Sequence, residues 1–224
     1  MSIIKKICLI IVLVISSNIQ AQDMNEGFQF LETGKFDKAE VFFKKIVSDF
    51  PTNKTAKLCY GRAVGLNGNA SKAVGIFTDL LNEYPKDVEI QLNFAESLLW
   101  GKQFEKAKIY YTTLVAENPT NFAALLGFAN TFSNLKEYEN ALLYVNKALE
   151  VSPKNPNAMI SKKYIRLGYA NEFVQKQNYE KAISLLNENL IDFPDDKETL
   201  FNKVNIYFMT KETDNATPIY TQIA

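Results

Sequence analysis

Lys102-Gln-Phe104-Glu-Lys-Ala107-Lys-Ile-Tyr-Tyr111-Thr-Thr-Leu114-Val-Ala-Glu-Asn-Pro119-Thr-Asn121 decides how the rest of the chain is read. It holds a turn, an aromatic, an alanine three residues on, an apolar helical face and a closing Pro-x-Asn. The pattern recurs. Ala39, Ala73, Ala107 and Ala141 are 34 residues apart, and Pro51, Pro85, Pro119 and Pro153 keep the same step. A fixed period of that size marks units that cannot bury their apolar faces alone and do so by stacking.

Each unit reads as two helices. The first carries apolar residues at helical spacing, such as Leu92, Phe94, Ala95, Leu98 and Leu99. The second runs from about Phe104 to Glu117 and stops before Pro119, because proline lacks the donor a helix interior needs and pushes its predecessor out of the α region. Small residues (Gly61, Ala95, Ala129 and the alanine series) fall where helices must approach. Aromatics (Tyr60, Phe94, Phe128; Phe36, Phe104, Tyr138; Phe43, Phe77, Tyr111) fill the space around them. Alternating small and large side chains let packed layers interdigitate.

After the fourth unit the step lengthens. Ala182 follows Ala141, and Pro194 follows Pro153, by 41 residues, so seven residues have entered. Counting back from Tyr179 and Ala182 places them near Pro156 to Lys162. They bring Lys162, Lys163 and Arg166, read as a basic lip or a solvated helix end. Ala216 returns to the 34-residue step. Pro218 is expected to delay or kink the last helix, and the absence of a polar closing helix after Tyr220 and Ile223 reads as a decayed end repeat, a face that packs on another chain, or a truncated sequence.

The residues resemble the tetratricopeptide repeat, whose pattern of aromatic and small residue, aromatic, alanine, aromatic and closing proline is met by Tyr60-Gly61, Ala73, Phe77 and Pro85. Phe94-Ala95, Phe104, Ala107, Tyr111 and Pro119 meet it again, as do Phe128-Ala129, Tyr138, Ala141 and Pro153. The first unit supplies Gly27, Phe30, Phe36, Ala39, Phe43 and Pro51. The resemblance implies an all-α, right-handed superhelical solenoid of about six helical hairpins. Their expected spans are residues 22–53, 54–87, 88–121, 122–155, 156–196 with the seven-residue insertion, and an incomplete 197–224. The sixth unit departs from the pattern at Lys203-Val204 and Thr213.

Residues 1–21 have the form of a signal peptide: Lys5-Lys6, then the apolar run Ile7–Ile15, then a small-residue exit ending at Ala21. The run is short for a membrane span, which needs about 20 residues. The expectation is a mature chain that is periplasmic or secreted, without a stable membrane span. Lys+Arg and Asp+Glu both number 25; loss of Lys5 and Lys6 leaves a slight acid excess and no reason to expect nucleic acid as partner. With no histidine, Ser-His-Asp and Cys-His catalysis and histidine metal ligation are excluded. Of Cys8 and Cys59 only the second survives leader removal, so neither an internal disulfide nor a thiolate zinc site can form. No phosphate-binding or nucleophile motif occurs. Glu89 and Glu96 lie seven apart on one helix, but nothing in the sequence encloses them, and enclosure is what tunes paired carboxylates. The reading is a non-enzymatic scaffold with no cofactor and no metal.

In the family's geometry the first helices line a concave groove. Positions matching its inner face include Met24, Phe28, Leu31, Leu58, Arg62, Glu89, Leu92, Asn93, Glu96, Trp100, Leu126, Asn130, Asn134, Asn171, Asn202 and Asn205. One equivalent column runs Phe28, Arg62, Glu96, Asn130, Asn171, Asn205. An amide both donates and accepts, so a row of asparagines can hold an extended backbone without selecting its side chains; groove asparagines of the O-GlcNAc transferase superhelix are similar. The candidate partner-binding residues are therefore Arg62, Glu96, Trp100, Asn130, Asn134, Asn171 and Asn205, and the expected partner is a protein or peptide. The carboxylate clamp of the chaperone-binding subclass is absent, since the matching positions hold Met24, Phe28, Cys59, Glu89 and Asn93. A second expectation is a structural subunit of an envelope assembly, a homodimer through the uncovered C-terminal repeat.

Overall fold

A computed structural model describes residues 24–223 of the 224-residue chain; the expected leader, residues 1–21, lies outside them. Twelve α-helices and no strand occur among the described residues: α1 (24–32), α2 (Phe36–Asp49), α3 (Lys54–Leu66), α4 (Ala70–Glu83), α5 (Val88–Trp100), α6 (Phe104–Glu117), α7 (Phe122–Asn134), α8 (Tyr138–Val151), α9 (Pro156–Gln175), α10 (Tyr179–Asp192), α11 (Lys197–Met209) and α12 (Thr213–Ile223). The class is an all-α helical-repeat solenoid. The helices form two compact units, one ending at Gln103 and one beginning at Phe104.

Lengths alternate with the repeat. Helices α2, α4, α6, α8 and α10 have 14 residues each, and α3, α5, α7 and α11 have 13. Each 14-residue helix ends two residues before its proline. The Pro-x-Asn motif is more than a stop: Asn53, Asp87, Asn121, Asn155 and Asp196, each two residues past a proline, cap the next helix by accepting a first-turn backbone N–H. Such a cap contributes about 1 kcal/mol. The period is thus written at both ends of every junction.

In the first unit α2 packs on α3, α3 on α4 and α5, and α4 on α5. In the second, each of α6 to α12 packs on its chain neighbour, and α7 also meets α9. Ala39, Ala73, Ala107, Ala141 and Ala182 are fully buried, and Ala216 nearly so. Met24 joins the first unit's core with Ala39, Phe43, Ile46, Ala56, Cys59 and Ala63. This corrects the groove assignment at the amino end. Met24 is buried, Phe28 lays its ring 5.9 Å from that of Phe43, and Leu58 and Asn93 are buried too.

Helix α9 absorbs the insertion and reaches 20 residues. Lys163 stands where Lys54 stands three units earlier: each pairs with the acidic cap 33 residues on, Lys54 with Asp87 at 2.6 Å and Lys163 with Asp196 at 2.8 Å. The two extra turns are therefore Pro156 to Lys162, at the start of the helix. The basic lip is overturned. Arg166 is buried and bonded through Nη1 to Asp192 (2.6 Å) and through Nη2 to Glu188 (3.2 Å), so it fastens α9 to α10. Asn189, fully buried, donates to the Lys163 carbonyl at 3.0 Å in the same contact. Nor does Pro218 delay its helix, since α12 begins five residues ahead of it at Thr213.

Candidate functional site: two walls of inner-face residues

The first unit carries Arg62 on α3 and Glu96 and Trp100 on α5. Arg62 and Glu96 are exposed, and neither makes a hydrogen bond or ion pair among the described residues. Desolvation nevertheless raises the Glu96 carboxyl above its ordinary value, with Arg62 acting more weakly in the opposite direction. On the same helix as Arg62, Cys59 is pushed up to about 11 by burial, which keeps it a thiol and inert as a nucleophile at neutral pH. Trp100 is divided between packing and surface. Its ring lies over Gly65, where an added Cβ would come within 2.0 Å of Cζ3, and the side chain remains half-buried.

The second unit carries Asn130 and Asn134 on α7, Asn171 on α9 and Asn205 on α11. They divide by what their amides already do. Asn134 donates to the backbone oxygen of Asn130 at 2.8 Å, one turn back in its own helix. Asn202 does the same to Glu198 at 2.9 Å, and in the first unit Asn93 to Glu89 at 2.7 Å. The side chains of Asn130, Asn171 and Asn205 make no hydrogen bond among the described residues. Their donors and acceptors are free for a ligand.

Asn171 and Asn205, with Asn202, rim a cleft of about 90 Å³ between α9, α10 and α11. Its apolar lining consists of Leu186 and Ile206, both buried, Val174, half-buried, and Met209, exposed. Asn130 and Asn134 do not line it. The sequence reading chose the rim and missed the apolar lining, because Val174 and Leu186 carry the same pattern as any packed helix face. Amides above an apolar recess suit a polypeptide backbone with one apolar side chain pointing inward. Among the described residues no cluster of side chains could hold a metal ion, and no helix is long and apolar enough to cross a membrane.

Tetratricopeptide repeat family models match residues 66–126 and 122–155. No curated protein matches the chain. Among solved structures, a tetratricopeptide repeat protein from Parabacteroides merdae is similar at 24% identity and TM-score 0.62, over 91% of this chain and 78% of that one. PilF of Pseudomonas aeruginosa is similar at 14% identity and TM-score 0.64, over 92% and 91%. YrrB, described as a tetratricopeptide repeat protein with an unusual peptide-binding site, is similar at 18% identity and TM-score 0.57, over 81% and 90%. At these identities the likeness is one of fold.

Proposed function

The chain is a tetratricopeptide repeat protein, a family of generally non-enzymatic protein-interaction scaffolds, and we propose that it holds an extended segment of a partner protein on its inner-face helices. Asn171 and Asn205 grip the segment's backbone over the apolar lining of α9–α11, and Asn130 extends the grip along α7. The uncommitted amides of Asn130, Asn171 and Asn205 carry this reading. Amides needed for packing are bonded within the fold, as Asn189 is. The leader-like residues 1–21 support a location in the cell envelope, periplasmic or exported.

The test uses peptides selected on the purified protein from a random phage-displayed library. Replacing Asn130, Asn171 and Asn205 together by Ala removes two or more backbone hydrogen bonds, each worth about 0.5–1.5 kcal/mol net, so affinity falls about five-fold or more. Far-ultraviolet circular dichroism stays that of the wild type. Unchanged affinity for every selected peptide refutes the asparagine grip.

A second reading, a self-associating subunit, is favoured by one observation. Phe43, Phe77, Tyr111, Val145 and Leu186 occupy one repeat position and are at most 2% exposed, whereas Tyr220, next in that series, is 61% exposed. Phe201 and Phe208 of α11 are also exposed. This is a face of the kind that a following helix covers in the earlier repeats.

A further inference from the structure

A second cleft, of about 410 Å³, opens where the start of α8, the last turns of α9 and the start of α10 meet. That volume lies within the range of small-ligand sites. No asparagine of the α9–α11 wall lines it. Its interior is an aromatic run. Tyr138 and Tyr169 are stacked with centroids 5.5 Å apart, and Phe173 follows 4.6 Å from Tyr169. Gly168 makes room for the first ring, since a Cβ there would lie 2.8 Å from it. A cation already rests on the far end of the run, the Lys181 ammonium 5.2 Å from the Phe173 centroid.

Three carboxylates and three lysines share the lining, and most are occupied. Glu137 accepts from Lys108, which lies outside the cleft, at 2.6 Å and from Asn140 at 3.2 Å. Glu172 is paired with Lys176. Lys136 is exposed in the left-handed turn before α8. Glu139 differs from the other acids: it accepts the Tyr169 hydroxyl at 2.9 Å and meets no cation among the described residues. The charges felt by both tyrosines are negative. Burial, then Glu139 and Glu172, push the Tyr169 hydroxyl up to about 12, and burial, then Glu172, raise that of Tyr138.

We propose that this cleft is a separate binding site for a basic side chain of a partner polypeptide, arginine in preference to lysine. The ring faces attract a cation. Glu139, held in place by the Tyr169 hydroxyl, supplies the counter-charge. A guanidinium can lie flat on a ring and bond a carboxylate with two parallel donors at once, which an ammonium cannot.

The experiment is a ¹⁵N-edited NMR titration of the purified protein with Nα-acetyl-arginine amide, Nα-acetyl-lysine amide and Nα-acetyl-glutamate amide. Arginine is expected to give saturable shifts at Glu139, Tyr169 and Phe173, lysine to bind about five-fold more weakly, and glutamate to give no saturation. Glu139→Gln, an exposed isosteric change, is expected to weaken arginine binding about five-fold, and Tyr169→Phe, which frees Glu139, to weaken it in the same direction. The proposal is overturned if arginine does not saturate, if glutamate binds as well through Lys136 and Lys181, if lysine matches arginine, or if Glu139→Gln leaves arginine binding unchanged.

Discussion

Two glycines of the first unit separate helix propensity from packing. Gly75 sits inside α4, exposed, with nothing within 4 Å of the place its Cβ would take. Gly61 sits inside α3, where a Cβ would fall 2.7 Å from Cζ of Phe77 and 3.0 Å from two further ring carbons. Phe77 is fully buried, so its ring has nowhere to go. Alanine is favoured over glycine in a helix interior by about 1 kcal/mol at both positions. At Gly75 nothing opposes that gain, and Gly75→Ala should raise the melting temperature by roughly 2–4 °C, as expected for a chain of this size. At Gly61 the gain meets an overpacking cost of about 1–3 kcal/mol. Contacts below 3 Å to an immobile ring place it in the upper part of that range, for a net loss of about 1–2 kcal/mol. Thermal unfolding followed by circular dichroism checks both variants within one compact unit. If Gly61→Ala stabilises as Gly75→Ala does, the close approach of α3 to α4 is not what makes residue 61 a glycine, and the argument from small residues fails.

The Lys163–Asp196 pair makes stability depend on pH in a set direction. Burial pushes the Asp196 carboxyl up, but hydrogen bonds from Lys163 and Thr199 outweigh it and hold the pKa below the ordinary value. A depressed folded-state pKa contributes stability that is complete above the unfolded value of about 3.9 and lost as pH falls through the folded one. Asp196→Asn keeps a cap oxygen and removes the pair, so urea unfolding should show the variant weaker at pH 6 and level with wild type once the carboxylate is protonated. A gap independent of pH would show that the pair contributes nothing. For the self-association reading, light scattering of the purified protein should give a dimer mass that Tyr220→Glu returns to a monomer; a monomeric wild type at every concentration ends that reading.

The helical period was legible because packing wrote it in residue types. Alanine at the close approach, proline after the second helix and an aromatic beside each small residue are each required by sterics, and each recurs. The turn inside each unit is legible by its place, as at Gly101-Lys-Gln between α5 and α6, but not by one residue type. Gly34 and Gly68 take φ values of 71° and 94°, and the same repeat position holds Lys102, Lys136, Gln177 and Lys211 at φ between 55° and 63°. The left-handed region costs a residue with a Cβ about 1–2 kcal/mol, which helix packing on either side evidently offsets, so the sequence is not obliged to mark the turn with glycine. Arg166 was misread for a different reason. Its partners Glu188, Asn189 and Asp192 lie 22 to 26 residues onward in another helix. Which face of α9 meets them depends on the register left by two added turns, and a count of surface charge carries no register.

The asparagines show where sequence reading of a site stops. Asn130, Asn134, Asn171, Asn202 and Asn205 are alike as letters, and all fall on first helices of the second unit. An asparagine inside a helix can turn its Nδ2 back to the carbonyl four residues before it, as Asn134 and Asn202 do, and then offers a ligand mainly its oxygen. Asn130, Asn171 and Asn205 do not make that bond. Free amides on a water-facing wall lose nothing while unliganded, since water satisfies them, and a peptide backbone that replaces the water regains bonds of the same kind. The amides alone therefore give a small net affinity and little preference for side chains. Tight or selective binding needs the apolar lining supplied by Val174, Leu186, Ile206 and Met209, where burying a partner side chain contributes about 1.5–3 kcal/mol.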